Sequence, residues 1–103
     1  MSGVVEREVN IPQKDVGTTE ETKLLKVPSG YALKLKKLEL YNTASADRTV
    51  DIEDGTNVLK TVVVPANSVL ILNEEDLKFF FYDTINLKAS DTGVKASGVA
   101  EVV

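Results

Sequence analysis

Turn-forming clusters interrupt this 103-residue chain at short intervals. VPSG stands at residues 27–30, NTASAD at 42–47, EDGTN at 53–57, PANS at 65–68, NEED at 73–76 and SDTG at 90–93. The runs between them are about 4–12 residues long, the spacing of an all-β sandwich or barrel. They are too short for a series of helices. They are also rich in Val, Leu, Ile, Thr and aromatic residues, which fit a pleated, half-buried surface. The pattern predicts eight or nine strands, over residues 4–9, 23–27, 31–41, 48–52, 58–64, 69–72, 77–82, 84–89 and 94–103. A single turn within NEED, with Asn73 as its cap, is the one helical candidate.

The strand YALKLKKLELY changes phase. Leu33 and Leu35 share one parity and Leu38 and Leu40 the other, so Lys36-Lys37 either holds a β-bulge or marks a passage from one sheet to a second. Residues 1–22 contain Asn10, Pro12, Gly17 and a polar GTTEET, which reads as an extended N-terminal arm. The expected architecture is therefore an all-β, single-domain antiparallel β-sandwich, jelly-roll-like, over residues 23–103, preceded by an arm over residues 1–22. Val4, Val5, Val9 and Ile11 are the arm's candidate contacts.

Three stretches break the in-out alternation of a half-buried strand: VVV at residues 62–64, VLIL at 69–72 and FFFY at 79–82. Continuous apolar strands are expected where both faces are covered, and this pattern offers no helices to cover them. In the last stretch Phe79 and Phe81 are in phase with Leu77, Ile85, Leu87 and Ala89, which assigns them to the core. Phe80 and Tyr82 then point outward. Fully burying a Phe-sized side chain is worth roughly 1.5–3 kcal/mol, so two outward rings form an adhesive patch that a symmetric oligomer, or the N-terminal arm folded back within the monomer, can bury. Phe80, Tyr82, Val63, Leu70 and Leu72 are the candidate interface residues for a homo-oligomer.

Composition bounds the chemistry. The chain is 43% apolar and 27% charged, the balance of a globular domain. It has no cysteine and no histidine, which removes disulfides, thiolate nucleophiles, imidazole bases and the commonest zinc ligands. DIEDGTN, residues 51–57, fails as a calcium loop because its glycine falls at position five rather than six, and it reads as a hairpin turn at Asp54-Gly55. Glu74, Glu75 and Asp76 read as a solvated acidic turn, and neither a G-x-S-x-G elbow nor a glycine-rich phosphate loop occurs. No catalytic, metal or cofactor residue is assigned. A net charge of −4 disfavours nucleic acid as a partner. No apolar run of about 18 residues is present to span a membrane, and MSGVVEREVN lacks the basic and apolar regions of a secretory signal. A cytoplasmic site of synthesis and assembly is expected.

Three quarters of the chain carries further signals in a fixed order: VPSGYALKLKKLELYNTASADRTVDI, then VVVPANSVLIL, then YDTINLKASDTGVKASGVAEVV. This order resembles that of small β-sandwich structural proteins of tailed phages and related viruses, in which an aliphatic stretch stands where this chain has FFFY. The resemblance implies a non-enzymatic virion component, such as a capsid decoration (cement) protein or a head or tail accessory protein. It also implies a homotrimer, a viral major capsid protein or other virion protein as partner, and an N-terminal arm laid on neighbouring subunits. A carbohydrate- or receptor-binding sandwich using Tyr31, Tyr41 and Tyr82 is the alternative.

Overall fold

In a computed structural model, which describes residues 7–103, the chain forms nine strands. They are β1 (Glu8–Asp15), β2 (Thr22–Lys26), β3 (Leu33–Asn42), β4 (Arg48–Asp54), β5 (Asn57–Val64), β6 (Val69–Asn73), β7 (Phe80–Phe81), β8 (Thr84–Ala89) and β9 (Val94–Val102). Every pairing is antiparallel. One sheet has the order β1-β9-β3-β6, with β7 also paired to β3, and the other has the order β2-β8-β4-β5.

This order is that of a hairpin rolled up. The chain reverses at Gly55, and the pairs β4–β5, β3–β6, β2–β8 and β1–β9 nest outward from that tip while alternating between the two sheets. It is the double-sheet jelly roll. The nesting explains a departure from the sequence reading. Residues 8–15 are the outermost strand of the roll, paired along β9, and Ile11 is buried in the core, while Val9 is half-buried. Its sequence looked like an arm because an edge strand buries few side chains. Val4 and Val5 lie outside the described residues.

The phase change in β3 is a bulge within one strand, not a passage between sheets. Leu35 pairs with Ala100 and Lys37 with Val99, leaving Lys36 without an opposite residue on β9. The extra residue restores parity, so Leu33, Leu35, Leu38 and Leu40 are all fully buried. Gly98, opposite Leu38, is required here, since a Cβ on it would meet the Lys37 carbonyl oxygen.

The core lies between the sheets and is built from the alternating positions of β3, β4, β8 and β9, with Leu77 and Phe81 closing one end. Phe81 is fully buried, and its ring meets the half-buried Phe79 edge-on at 5.6 Å between centroids. At the other end Asn42 is a buried polar brace. Its Nδ2 donates to the carbonyls of Ala46 (2.9 Å), Val64 (3.0 Å) and Pro65 (3.2 Å), and its Oδ1 accepts from the Ala44 N–H. One side chain thereby ties the β3–β4 connection to the β5–β6 turn.

Candidate functional site

The aromatic run forms a corner. In β7, Phe81 pairs with Leu33 and turns inward, and Phe80 pairs with Lys34 and turns outward. Tyr82 follows on the outside, 70% exposed, beside the 46% exposed Phe80, with 6.5 Å between ring centroids. The division by parity expected from sequence therefore holds for Phe80, Phe81 and Tyr82. The regular strand expected over residues 77–82 is reduced to Phe80–Phe81, and residues 77–79, which follow the turn at 74–76, pair with no strand.

Two polar latches hold the corner in place. In the NEED turn, the Asn73 Oδ1 accepts from the Glu75 N–H while the Asp76 carboxylate accepts from the Asn73 N–H, a reciprocal arrangement that closes one turn without starting a helix. Asp54 is the second latch. Its carboxylate accepts from the backbone N–H groups of Tyr82 (3.0 Å), Asp83 (2.8 Å) and Thr84 (3.3 Å). The β4–β5 tip is thus fastened to the β7–β8 turn. Gly55, at φ 62°, allows that approach, since a Cβ there would lie 2.6 Å from the Asp83 carboxylate. The hairpin loop is Gly55-Thr56, one residue beyond the Asp54-Gly55 expected from sequence, with Asp54 still paired to Asn57.

The other candidate interface residues fall in different places. Val63 is exposed on the outer face of β5. Leu72 is only 6% exposed and Leu70 is half-buried against the core, so the outward assignment of both is corrected. Their register decides this: Leu70 lies opposite Leu40 and Leu72 opposite Leu38, and those partners face inward. The outward pair is Val69 and Ile71, which the sequence reading missed. A run of four aliphatic residues carries no parity of its own. The signal was available only through its pairing with β3.

The acidic groups are mostly committed to structure. Asp76 belongs to the turn latch, and Glu74 lies 3.5 Å from the Lys34 Nζ. Among the described residues no group of three or more Asp, Glu, His or Cys side chains is arranged to hold a metal ion. Glu53 is different, being 3% exposed with an Oε1 that has no hydrogen-bond partner. Burial, followed by the nearby Glu21 and Asp51 charges, pushes its carboxyl above the ordinary carboxylate range, with Lys88 opposing. A carboxyl raised by folding contributes stability below its unfolded pKa, and that contribution is lost as pH rises through the folded value. Glu53→Gln is therefore expected to raise the urea midpoint at neutral pH and to change it least near pH 4. A gain that is equal at both pH values, or a loss at neutral pH, would count against this account.

The three tyrosines do not form one platform. Tyr41 stands near the Asn42 end of the ten-residue β3, and Tyr31 and Tyr82 lie toward the Leu33 end. A surface hollow of about 340 Å³ is lined by Tyr41, Asn42, Thr43, Asn67, Ser68 and Val69. Its hydroxyls and the Asn42 amide are bonded within the chain: Tyr41 to Glu39, Thr43 to the Gly93 carbonyl and Ser68 to the Ala66 carbonyl. Few polar groups remain there to recognise a sugar.

No protein-family model matches the chain. No curated protein matches it either. Among solved structures, it is similar to one described as "Bacillus endospore appendages form a novel family of disulfide-linked pili", with a TM-score of 0.53 and 12% identity over 100% of this chain and 95% of that one. At that identity the likeness speaks to the fold. The disulfide linkage of those pili has no counterpart here, since this chain contains no cysteine.

Proposed function

We propose that this chain is a non-enzymatic structural subunit that self-associates and takes its place in a larger protein lattice. The observation that carries the reading is the aromatic corner. Phe80 and Tyr82 are exposed side by side on a segment fixed by Asp54 and the NEED turn. Rigid exposed apolar groups of this size favour burial against another protein surface, and a preformed contact costs little ordering on association. The jelly roll is compatible with many roles, and it is this surface, not the architecture, that supports self-association.

The finer form of the proposal is a capsid decoration protein, which the sequence resemblance implies, acting in a virion as a homo-oligomer, a trimer in the form the resemblance suggests. The mechanism is clamping. Apolar faces bridge neighbouring subunits, so opening the lattice must also break these contacts, and stabilisation follows mass action. A pilus-like appendage subunit is the other form, favoured by the fold neighbour. No residue is assigned a chemical step. Glycan recognition is the weaker alternative, given the separated tyrosines and the internally bonded hollow.

Phe80→Ser combined with Tyr82→Ser is expected to remove the contact made by the aromatic corner and so lower the mass read by light scattering at micromolar concentration, with the circular dichroism spectrum preserved. A wild-type chain that is already monomeric would refute self-association. For the decoration form, particles should withstand a higher disruption temperature with the protein bound than without it, and an unchanged temperature would remove that form.

A further inference from the structure

A lattice needs more than one kind of contact, because a single closed, self-complementary interface ends in a discrete oligomer. The aromatic corner is one contact. The free sheet edges, compared with one another, point to a second. β1 carries Pro12, Lys14 and Asp15 and slips register between Ile11 and Lys14. β2 carries Lys23 and Lys26 and slips between Lys23 and Leu25. β5 slips opposite Ile52 and Glu53, and its Lys60 lies opposite the buried Ile52, on the core-facing side. Prolines, lysines, inward-facing charges and bulges are the devices that keep an edge from pairing with another chain.

β6 has none of these devices. Val69–Asn73 contains no charge and no proline, and its pairing with β3 runs through five residues without a register shift. Among the described residues its one strand partner is β3, so its far edge presents the backbone groups of Val69 and Ile71, while those of Asn73 are bonded within the NEED turn. Val69 and Ile71 are about half exposed on the outer face beside that edge. By the β3 register, Ile71 opposite Glu39 stands about 17 Å from Phe80 opposite Lys34, which makes this surface separate from the corner.

We infer that β6 pairs antiparallel with β6 of a second copy, about a two-fold axis at Ile71. This rests on the self-association reading and supplies its second contact. The occupant is a second copy because docking against β1, β2 or β5 would set a flat, uncharged edge against proline, lysine or a bulge. The remaining edge that matches β6 is β6 itself. Centred on Ile71, the five-residue strand sets Leu70 of one copy opposite Leu72 of the other and Val69 opposite Asn73. The two sheets then continue as one.

The chain has no native cysteine, so an introduced one is unique. Directly opposed residues in an antiparallel pair have Cα atoms about 4.5–5.5 Å apart, within disulfide reach. Under mild oxidation Ile71→Cys is expected to give covalent dimer. Val69→Cys should give little, because its two copies lie about 13 Å apart. Ile71→Lys, which sets like charges on the axis at an exposed position, should weaken association in sedimentation roughly tenfold. An oligomeric wild type whose association is untouched by Ile71→Lys, or that cross-links equally through both cysteines, overturns the β6 pairing and leaves self-association standing. A wild type that sediments as a monomer at high micromolar concentration overturns both.

Discussion

Phe81→Ala is expected to lower the unfolding free energy by about 3–5 kcal/mol, the usual loss when a buried Phe is truncated. The ring is fully buried between Leu33, its strand partner, and Phe79. It closes the end of the sandwich, where few other side chains can relax into the space. Domains of this size are stable by about 5–15 kcal/mol, so the loss removes a large share of the total and should lower Tm by on the order of 12 °C or more. The neighbour supplies the control. Phe80→Ala, one residue away and outward, should change monomer stability by about 0.5 kcal/mol or less, as for ordinary surface positions. Equal losses at the two positions in urea titrations of dilute protein would show that the inward and outward assignments are wrong.

Asn42→Ala is expected to cost about 2–4 kcal/mol. The side chain is buried, and its removal leaves the Val64 carbonyl and the Ala44 N–H without their partner, each orphaned group costing about 1–3 kcal/mol. Asn42→Asp is the sharper variant, since it keeps the shape but replaces the donor facing three carbonyl oxygens with an acceptor. At neutral pH it should destabilise more than Ala. Asp tolerated within about 0.5 kcal/mol of wild type would mean that the brace is not structural. Because Asn42 spans the β3–β4 and β5–β6 connections, its loss should also loosen the start of β6. Faster amide exchange there than in β8 would report this.

Several features of the candidate site were legible in the chain before its folding was known. In FFFYDTINLKA the turn before Thr84 is short and the phase continues through Ile85 and Leu87, so parity alone separates Phe81 from Phe80 and Tyr82. VLIL gave no such purchase. Every residue in it is aliphatic, and Val69 and Ile71 are the outward pair because Leu70 and Leu72 lie opposite the inward-facing Leu40 and Leu38. Those leucines in turn depend on the Lys36 bulge, a device whose presence the sequence suggests but whose alternative, a change of sheet, it does not eliminate. Glu53 was equally hidden. Asp51 is close to it in the chain, but Lys88 on β8 and Glu21 in the β1–β2 connection are far away in sequence.

By itself, the sequence determined that the chain is all-β, because closely spaced turns leave room only for strands, and that it lacks the groups used by thiol and imidazole chemistry. Local spacing is sufficient for both. Tertiary structure alone decided that residues 8–15 form the outermost strand of the roll, that β6 faces outward through Val69 and Ile71, and that β6 is the unguarded edge. Each of these depends on which distant strand lies alongside, and antiparallel register fixes parity only once the pair is known.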